Sequence, residues 1–154
     1  MHKKSEEIPE VIDNLRRIFQ AVSEYSKAAE RETALTGPQL WAMKILAGAA
    51  PLRVSELARR MYLRPATVVG ILDRLEVKGL ITRDRSTTDR RAVDLDLTAT
   101  GRTLVANAPE VAQVMLVNGL DSLSEDQFGQ VLDGMRHMVR ILGAEQVTPQ
   151  PLHS

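Results

Sequence analysis

Four arginines lie within nine positions of the segment RDRSTTDRR, residues 83–91, in a chain of 154 residues with no net charge. A guanidinium group is planar and always charged, sheds water more readily than an ammonium, and offers a fork of donors that matches phosphate oxygens. The segment therefore predicts contact with a polyanion. The candidate contacts are three arginines and three hydroxyl residues: Arg85, Arg90, Arg91, Ser86, Thr87 and Thr88.

Asp89 lies directly before Arg90 and Arg91 in this segment. A carboxylate would repel phosphate, but it can also fix the direction of an arginine through paired hydrogen bonds. The simpler interpretation of the segment is an ordinary solvated hairpin tip. The elements around the segment decide between the two interpretations.

The charge of the chain is unevenly distributed. Residues 53–102 hold 11 Lys and Arg against 7 Asp and Glu, whereas residues 103–154 hold 2 against 6. A basic middle beside an acidic end indicates that one surface meets a polyanion, with solvated helix faces as the simpler alternative.

The residue types exclude several kinds of chemistry. The chain has no cysteine, which excludes disulfides, thiol redox sensing and Cys-ligated zinc. His2, His137 and His153 are too scattered for a metal site. No Gly-rich phosphate loop, nucleophile elbow or His–carboxylate cluster is present. We therefore expect no enzyme activity, no metal and no cofactor.

The chain also lacks the patterns of export and membrane insertion. The N-terminal residues have charge but no apolar run behind them, so they do not resemble a signal peptide. No stretch approaches the ~20 apolar residues of a membrane span. We therefore expect a soluble, cytoplasmic protein.

Two short helices are predicted immediately before the arginine segment. Ser55 is a candidate cap for a helix over 56–62. Pro65 follows a tight break and can open a helix over about 66–78 that ends at Gly79. Two helices joined by a turn of three or four residues form a helix-turn-helix.

A β-hairpin is predicted directly after the second of these helices. Strands over 80–83 and 92–97, the second with strictly alternating apolar residues, enclose the polar loop 84–91. A hairpin in this position is called a wing. Its presence favours a ligand for the arginines over an ordinary solvated tip.

The helix over 66–78 is the predicted recognition helix. The major groove of B-DNA accommodates such a helix, with its early residues toward the base edges, and a wing would lie over the neighbouring minor groove, where arginine is favoured. Gly70 costs the helix roughly 1 kcal/mol relative to alanine. Close approach of the backbone to DNA or tight packing against another helix would each explain it. The candidate contacts here are Arg64, Pro65, Ala66, Thr67, Gly70 and Arg74.

The flanking segments carry long apolar stripes. We predict a helix over 8–32, a helix from Thr98 to about 119 that Pro109 interrupts, and a last helix over 125–142 capped by Ser124. One helix-turn-helix cannot bury all of these stripes, but pairing across a two-fold axis would, and it would set two recognition helices ~34 Å apart. Part of the candidate interface set is expected to fill the monomer's own core instead. The set is Phe19, Val22, Met115, Met135, Met138 and Leu142.

Five motifs follow one another over residues 35–102. They are LTGPQLWAMKIL, in which Thr36 and Gln39 can form a capping box, VSELARRM, ATVVGILDRLEVKGLITR, the DRR of 89–91, and LDLTATGR. In this order and spacing they resemble the MarR family, the multiple antibiotic resistance regulators. The resemblance implies a homodimeric winged-helix transcription regulator, usually a repressor, on a pseudo-palindromic operator. It also implies that Asp89 orients an arginine and that Arg90 or Arg91 reaches the minor groove.

The resemblance further implies a small-molecule effector. Members of the family often release DNA when a small aromatic molecule binds between the dimer lobe and the winged helix. Trp41 and Met43 are better explained as core residues of the second helix. The candidate lining residues are Tyr25, Trp41, Met43, Tyr62 and His137.

We therefore expect a mainly α fold with a small β-wing. A winged helix-turn-helix at 34–103 would join a helical dimerisation region at 6–33 and 104–143, and residues 1–5 and 144–154 would be disordered. The predicted function is sequence-specific binding of double-stranded DNA by a transcription regulator. The alternative is a winged helix used for protein–protein contact, which would need no basic wing.

Overall fold

The chain forms seven helices and one two-stranded antiparallel sheet over the residues that the computed structural model describes, 2–152. The predicted class, mainly α with a small β-wing, is confirmed. The elements in chain order are α1 His2–Thr33, α2 Gly37–Ala49, α3 Val54–Arg60, α4 Pro65–Val77, β1 Ile81–Arg85, β2 Val93–Leu97, α5 Ala99–Ala106, α6 Ala112–Ser122 and α7 Glu125–Ile141.

Side-chain caps start three of the helices where the sequence predicts them: Thr36 before α2, Thr98 before α5 and Ser124 before α7. The Thr36 hydroxyl accepts from the Gln39 amide at 3.3 Å, and the Gln39 side chain accepts from the Thr36 amide at 3.1 Å. Ser124 and Gln127 form the same reciprocal pair before α7. These bonds satisfy amides that the first helical turn leaves without partners. The prediction that Ser55 caps α3 is wrong, because α3 begins at Val54, so Ser55 lies inside the helix, and the residue before it, Arg53, makes no side-chain cap.

The core lies among α2, α3, α4 and the sheet. The fully buried side chains include Leu40, Leu46, Leu57, Leu72 and Leu95. Aliphatic side chains at helical spacing on α2 and α4 form one buried cluster with the inward face of the sheet, α2 against β2 and α4 against β1, and their removal from water stabilises the unit. Leu52 also exchanges two backbone hydrogen bonds with Leu95, at 3.1 and 2.7 Å, which ties the segment before α3 to the wing.

The predicted break near Pro109 is confirmed, since α5 ends at Ala106 and α6 begins at Ala112. The structure gives defined positions to the described parts of the tails that we predict to be disordered. Residues 2–5 belong to α1. The segment 144–152 folds back, and the carbonyl of Leu152 accepts a hydrogen bond from the buried side chain of Gln113. Residues 1, 153 and 154 lie outside the described part.

The helices α1, α6 and α7 leave a large apolar surface exposed. In α7 none of the residues from Glu125 to Ile141 is buried. The exposed apolar side chains on these three helices include Ile8, Val11, Ile12, Ile18, Phe19, Met115, Leu116, Phe128, Val131, Leu132, Met135, Val139 and Ile141. Exposed apolar surface of this extent is typical of an interaction site.

We expect Gly101→Ala to lower the free energy of unfolding by about 1–3 kcal/mol, the usual cost of forcing atoms into a packed site. Thr98 caps α5 and its hydroxyl donates to the Gly79 carbonyl at 2.7 Å, which holds α5 against the end of α4. A Cβ at position 101 would collide with the Leu80 carbonyl and lie 3.2 Å from Met43. Chemical denaturation monitored by circular dichroism measures the loss.

Gly48→Ala is the matched control for that substitution. Gly48 is an exposed residue of α2, and a Cβ there would meet no atom within 4 Å. Alanine should leave stability unchanged or raise it by up to ~1 kcal/mol through its better helix propensity. Equal stability of the Gly101 variant and the parent chain would show that α5 can shift without cost.

Candidate nucleic-acid interface

The turn between α3 and α4 fixes how α4 projects from the core. Met61 is buried, Tyr62 adopts a left-handed backbone with φ 55°, and the Leu63 amide donates to the Ala58 carbonyl at 3.1 Å. Pro65 then opens α4, where its missing amide donor costs nothing. The tight turn leaves the first residues of α4 at the surface.

The six predicted contact residues at this helix lie at its start or on its accessible side. Thr67 is half-buried. The others are exposed: Arg64, Pro65, Ala66, Gly70 and Arg74. A Cβ built on Gly70 would meet no atom within 4 Å. The suggestion that Gly70 packs tightly against another helix is therefore wrong, and open space lies in front of it.

Arg83 links the wing to α4. Its Nη2 donates to the Asp73 Oδ1 at 2.5 Å, and its Nε lies 3.6 Å from the Glu76 Oε2. Arg83 opposes Leu95 in the register of the hairpin, so this bond joins the middle of the sheet to the outer side of the helix. Arg83 therefore positions the wing against α4, whereas the three arginines nearer the tip make no hydrogen bond or ion pair with α4.

Hydrogen bonds within the loop fix the shape of the wing tip. Ser86 is buried, its hydroxyl accepts from the amides of Thr88 and Asp89 at 3.2 and 3.3 Å, and it shares a hydrogen bond with the Thr88 hydroxyl at 3.0 Å. The residue type alone predicted a free phosphate contact at Ser86. Its hydroxyl instead accepts hydrogen bonds from the amides of the turn. A short polar side chain at this position provides a partner for loop amides that have none in the strand pairing.

Asp89 supports the same turn. Its Oδ1 accepts from the backbone amide of Arg91 at 3.0 Å, and its Oδ2 lies 4.0 Å from the guanidinium of Arg53. The structure thus places its carboxylate on a backbone amide and on Arg53, and not on the side chain of Arg90 or Arg91. The role that the resemblance implies for Asp89, direction of a neighbouring guanidinium, is not the arrangement that this wing adopts.

Three guanidinium groups remain available at the tip. Arg85, Arg90 and Arg91 are all exposed, and Arg85 donates to the backbone carbonyl of Arg90 at 3.2 Å. Within residues 2–152, the ion pairs that involve the wing belong to Arg83, to Asp89 and to Asp96, which pairs with Arg102 at 2.9 Å. The tip therefore presents positive charge that no carboxylate of the described chain neutralises at bonding distance.

The basic side chains of α3 are, by contrast, partly neutralised by one shared carboxylate. Glu56 binds Arg59 at 2.6 Å and Arg60 at 3.1 Å. The hydrogen bonds from Arg59 and then Arg60 lower the pKa of Glu56 to about 2, so its carboxylate is charged at neutral pH. Positive charge that a polyanion could neutralise is thus concentrated on the wing and at the ends of α4.

A cavity of about 550 Å³ lies beside the start of α4. Trp41, Tyr62, Gln113 and Leu116 form parts of its wall, and the returning segment 148–152 forms another. Of the five candidate pocket residues, Trp41 and Tyr62 line this cavity.

The other three candidates do not line the cavity. Met43 is wholly buried in the core, which explains the apolar residue at that position without a ligand. Tyr25 is half-buried on α1, and His137 is exposed on α7.

Membrane-spanning helices and metal clusters are both absent from the described part of the chain. No helix between residues 2 and 152 is both long and apolar enough to cross a membrane. Over the same residues, no cluster of three or more His, Asp or Glu side chains could hold a metal ion.

The fold and this site define a winged helix-turn-helix protein. Comparison with known proteins identifies the family within this class. Residues 35–93 match the model of the MarR family. The chain is 32% identical over 117 residues to the HTH-type transcriptional repressor MdtR of Bacillus subtilis, covering 76% of each chain. The chain belongs to the MarR family, and the resemblance inferred from the motifs is confirmed.

Solved structures share the fold. The YusO protein of Bacillus subtilis is 28% identical, with a TM-score of 0.58 over 88% of this chain and 96% of the other. FabT of Streptococcus pneumoniae, solved in complex with DNA, is 24% identical, with a TM-score of 0.59 over 88% and 96%. The proteins that share this chain's sequence pattern are transcriptional regulators, such as MdtR, and not enzymes.

Sequence reasoning missed two residues of this surface. Arg83 is placed in a predicted strand but receives no role from the sequence, because its residue type gives no sign of the carboxylate that it bonds to. Val69 was overlooked because it is apolar, yet it is 38% exposed on α4. Its spacing from the buried Val68 and Leu72 would have placed it on the outward side.

Proposed function

We propose that the protein is a sequence-specific, double-stranded DNA-binding transcription regulator, and that it represses from a pseudo-palindromic operator. The observation that carries the proposal is the pairing of an exposed α4 with a wing whose tip bears three guanidiniums without carboxylate partners. The ion pair between Arg83 and Asp73 joins the wing to α4. An α-helix fits the major groove, and arginines on an adjoining wing fit the neighbouring minor groove.

The proposed DNA contacts follow the exposed surface. Ser86 and Asp89 act by shaping the wing tip. Arg64 and Arg74, at the start and near the end of α4, would bind phosphate or guanine. The remaining proposed contacts are Pro65, Ala66, Thr67, Gly70, Arg85, Thr87, Thr88, Arg90 and Arg91.

A homodimer is the form in which we propose that the protein acts. The apolar side chains left exposed on α1, α6 and α7 would be buried by a second copy, which is how a two-fold interface uses one surface twice. Residues 6–33 and 104–143 would form this lobe, and residues 34–103 the DNA-binding unit. The proposed interface residues are Phe19, Val22, Met115, Met135, Met138 and Leu142, of which Val22 and Met138 are half-buried within the monomer.

A small apolar or aromatic effector is also part of the proposal. The cavity beside α4 has the size of a ligand site and two aromatic walls, Trp41 and Tyr62. It adjoins Arg64 and Thr67, so a ligand there would contact the start of the recognition helix. Its occupation would change the position of α4 and weaken DNA binding.

Selection from a randomised duplex pool tests the proposal. We expect the purified protein to enrich one palindromic sequence with half-sites ~34 Å apart. The logarithm of affinity should fall with the logarithm of salt concentration with a slope of several units, because each neutralised phosphate releases counterions. The measurement is fluorescence anisotropy of a labelled duplex at several salt concentrations.

A protein partner is the competing function, and the same experiment separates it. A flat salt response, or a pool that yields no preferred sequence, would contradict the DNA-binding proposal and favour a winged helix used for protein contact. Selection of a single unrepeated half-site would contradict only the dimeric operator.

A further inference from the structure

The outward face of α4 is apolar at the end that would meet the bases. Val68, Leu72 and Leu75 are wholly buried, so helical spacing puts a different set of residues on the opposite side. That set is Ala66, Val69, Gly70, Asp73, Arg74 and Val77, and all of them are exposed. Three of these residues lie in the first half of the helix, and none of the three has a polar side chain.

Two polar side chains lie on this face, Asp73 and Arg74, and both are in the second half of the helix. Asp73 accepts the hydrogen bond from Arg83 at 2.5 Å. Arg74 lines a shallow cavity with Gly70, Thr67 and Thr36. Thr67, in the first half, is half-buried. The exposed first half of the face therefore offers no side-chain hydrogen bond to a base.

An exposed valine on a recognition surface selects an apolar feature of the base pair. In the major groove the largest such feature is the thymine C5-methyl group, because the N and O atoms of the base edges are donors or acceptors that need polar partners. Valine opposite such atoms would leave them without hydrogen bonds, which is costly in an interface closed to water. Gly70, with open space in front of it, allows the helix backbone to come close enough for short side chains to touch a methyl.

We propose that α4 recognises thymine methyl groups through Val69, with Ala66 completing the apolar contact. This inference rests on the proposed function and names the feature of the DNA that the central part of the helix reads. Each buried methyl group should contribute about a fourfold factor in Kd, from the usual free energy of burying one methylene-sized group.

Uracil substitution in the DNA tests the inference without altering the protein. In the duplex selected from the pool, each thymine is replaced by uracil in turn, which removes only the methyl group. We expect one or two positions in each half-site at which Kd rises about fourfold per methyl removed. Fluorescence anisotropy at one fixed salt concentration gives the Kd values.

The protein side of the test is Val69→Ala and the isosteric Val69→Thr. Both should weaken binding of the thymine duplex by several-fold, and against Val69→Ala the sensitive uracil position should lose most of its effect. Val77→Ala is the matched control, because Val77 is 88% exposed on the same helix but about 12 Å further from its start, and it should leave Kd unchanged. Circular dichroism verifies that each variant is folded.

The outcomes separate this inference from the function on which it rests. A selected duplex that binds equally well with uracil at every position would overturn methyl recognition and leave DNA binding intact. The same result follows if uracil weakens binding equally for the parent chain and for Val69→Ala, since the effect would then come from the DNA alone. A pool that yields no duplex would overturn both proposals.

Discussion

Replacing Arg90 and Arg91 together by alanine is expected to weaken operator binding about a thousandfold while the protein stays folded and dimeric. The two side chains are exposed and make no side-chain hydrogen bond or ion pair within residues 2–152, so their removal takes nothing from the fold. In a dimer the substitution removes four guanidinium contacts. At roughly 1 kcal/mol each, the loss is about 4 kcal/mol.

The salt dependence should change in the same experiment. Each lost cationic contact reduces the slope of log affinity against log salt by about 0.9, so the double variant should respond to salt by about three to four units less. The matched control is Arg16→Ala with Arg17→Ala, a second adjacent exposed pair that lies on α1. That control removes the same charge from the chain and should leave both Kd and slope nearly unchanged.

Two results would contradict the role of the wing. Unchanged affinity of the Arg90 and Arg91 variant would show that these two side chains at the tip of the wing do not contribute to DNA binding. Equal losses for the wing pair and the α1 pair would mean that net charge, and not position, determines binding. Single substitutions then show whether one of the two arginines carries most of the effect.

Local pattern predicted most of the winged unit. The capping boxes at Thr36 and Ser124, the position of Pro65 at the start of α4 and the alternation in β2 each have a physical cause that acts within a few residues. These features set the element order before any tertiary contact is known. The resemblance to the MarR family came from the same short motifs, and the comparisons confirm it.

What the pattern could not supply is the direction of side chains between elements. Arg83 and Arg85 are two residues apart and identical in type, yet Arg83 bonds to Asp73 on α4 and Arg85 reaches the loop carbonyl of Arg90. Strand alternation places residues two apart on the same face, so it predicts no difference between them. Arg83 lies beside α4 and Arg85 lies next to the loop, and only the packing of the sheet against α4 reveals this difference. The roles of Ser86 and Asp89 were missed for a related reason, since both depend on the shape of the turn.

The segment after α7 shows a second feature that the sequence pattern could not predict. Prolines and polar residues predicted disorder for 144–154, but the carbonyl of Leu152 meets the buried amide of Gln113. A long-range contact of this kind leaves no periodic signal in either segment. The same holds for the cavity beside α4, whose wall includes Trp41 and the residues 148–152.

Met135→Glu should convert the proposed dimer into monomers and weaken operator binding by two orders of magnitude or more. Met135 lies at the middle of the apolar stripe of α7 and is exposed in the monomer, so the substitution costs the isolated chain little. A two-fold axis would bury two such carboxylates in one interface, and each buried charge without a partner costs several kcal/mol. Analytical ultracentrifugation measures the mass, and anisotropy measures the Kd.

Gln130→Glu distinguishes loss of the interface from a change of charge. Gln130 is exposed on α7, five residues before Met135, and helical spacing places it away from the apolar stripe. The control adds the same charge to the same helix and should remain dimeric with an unchanged Kd. A Met135→Glu chain that keeps the dimer mass would show that the stripe of α7 faces solvent. Monomers that still bind the full palindrome tightly would show that the two recognition helices act without being joined.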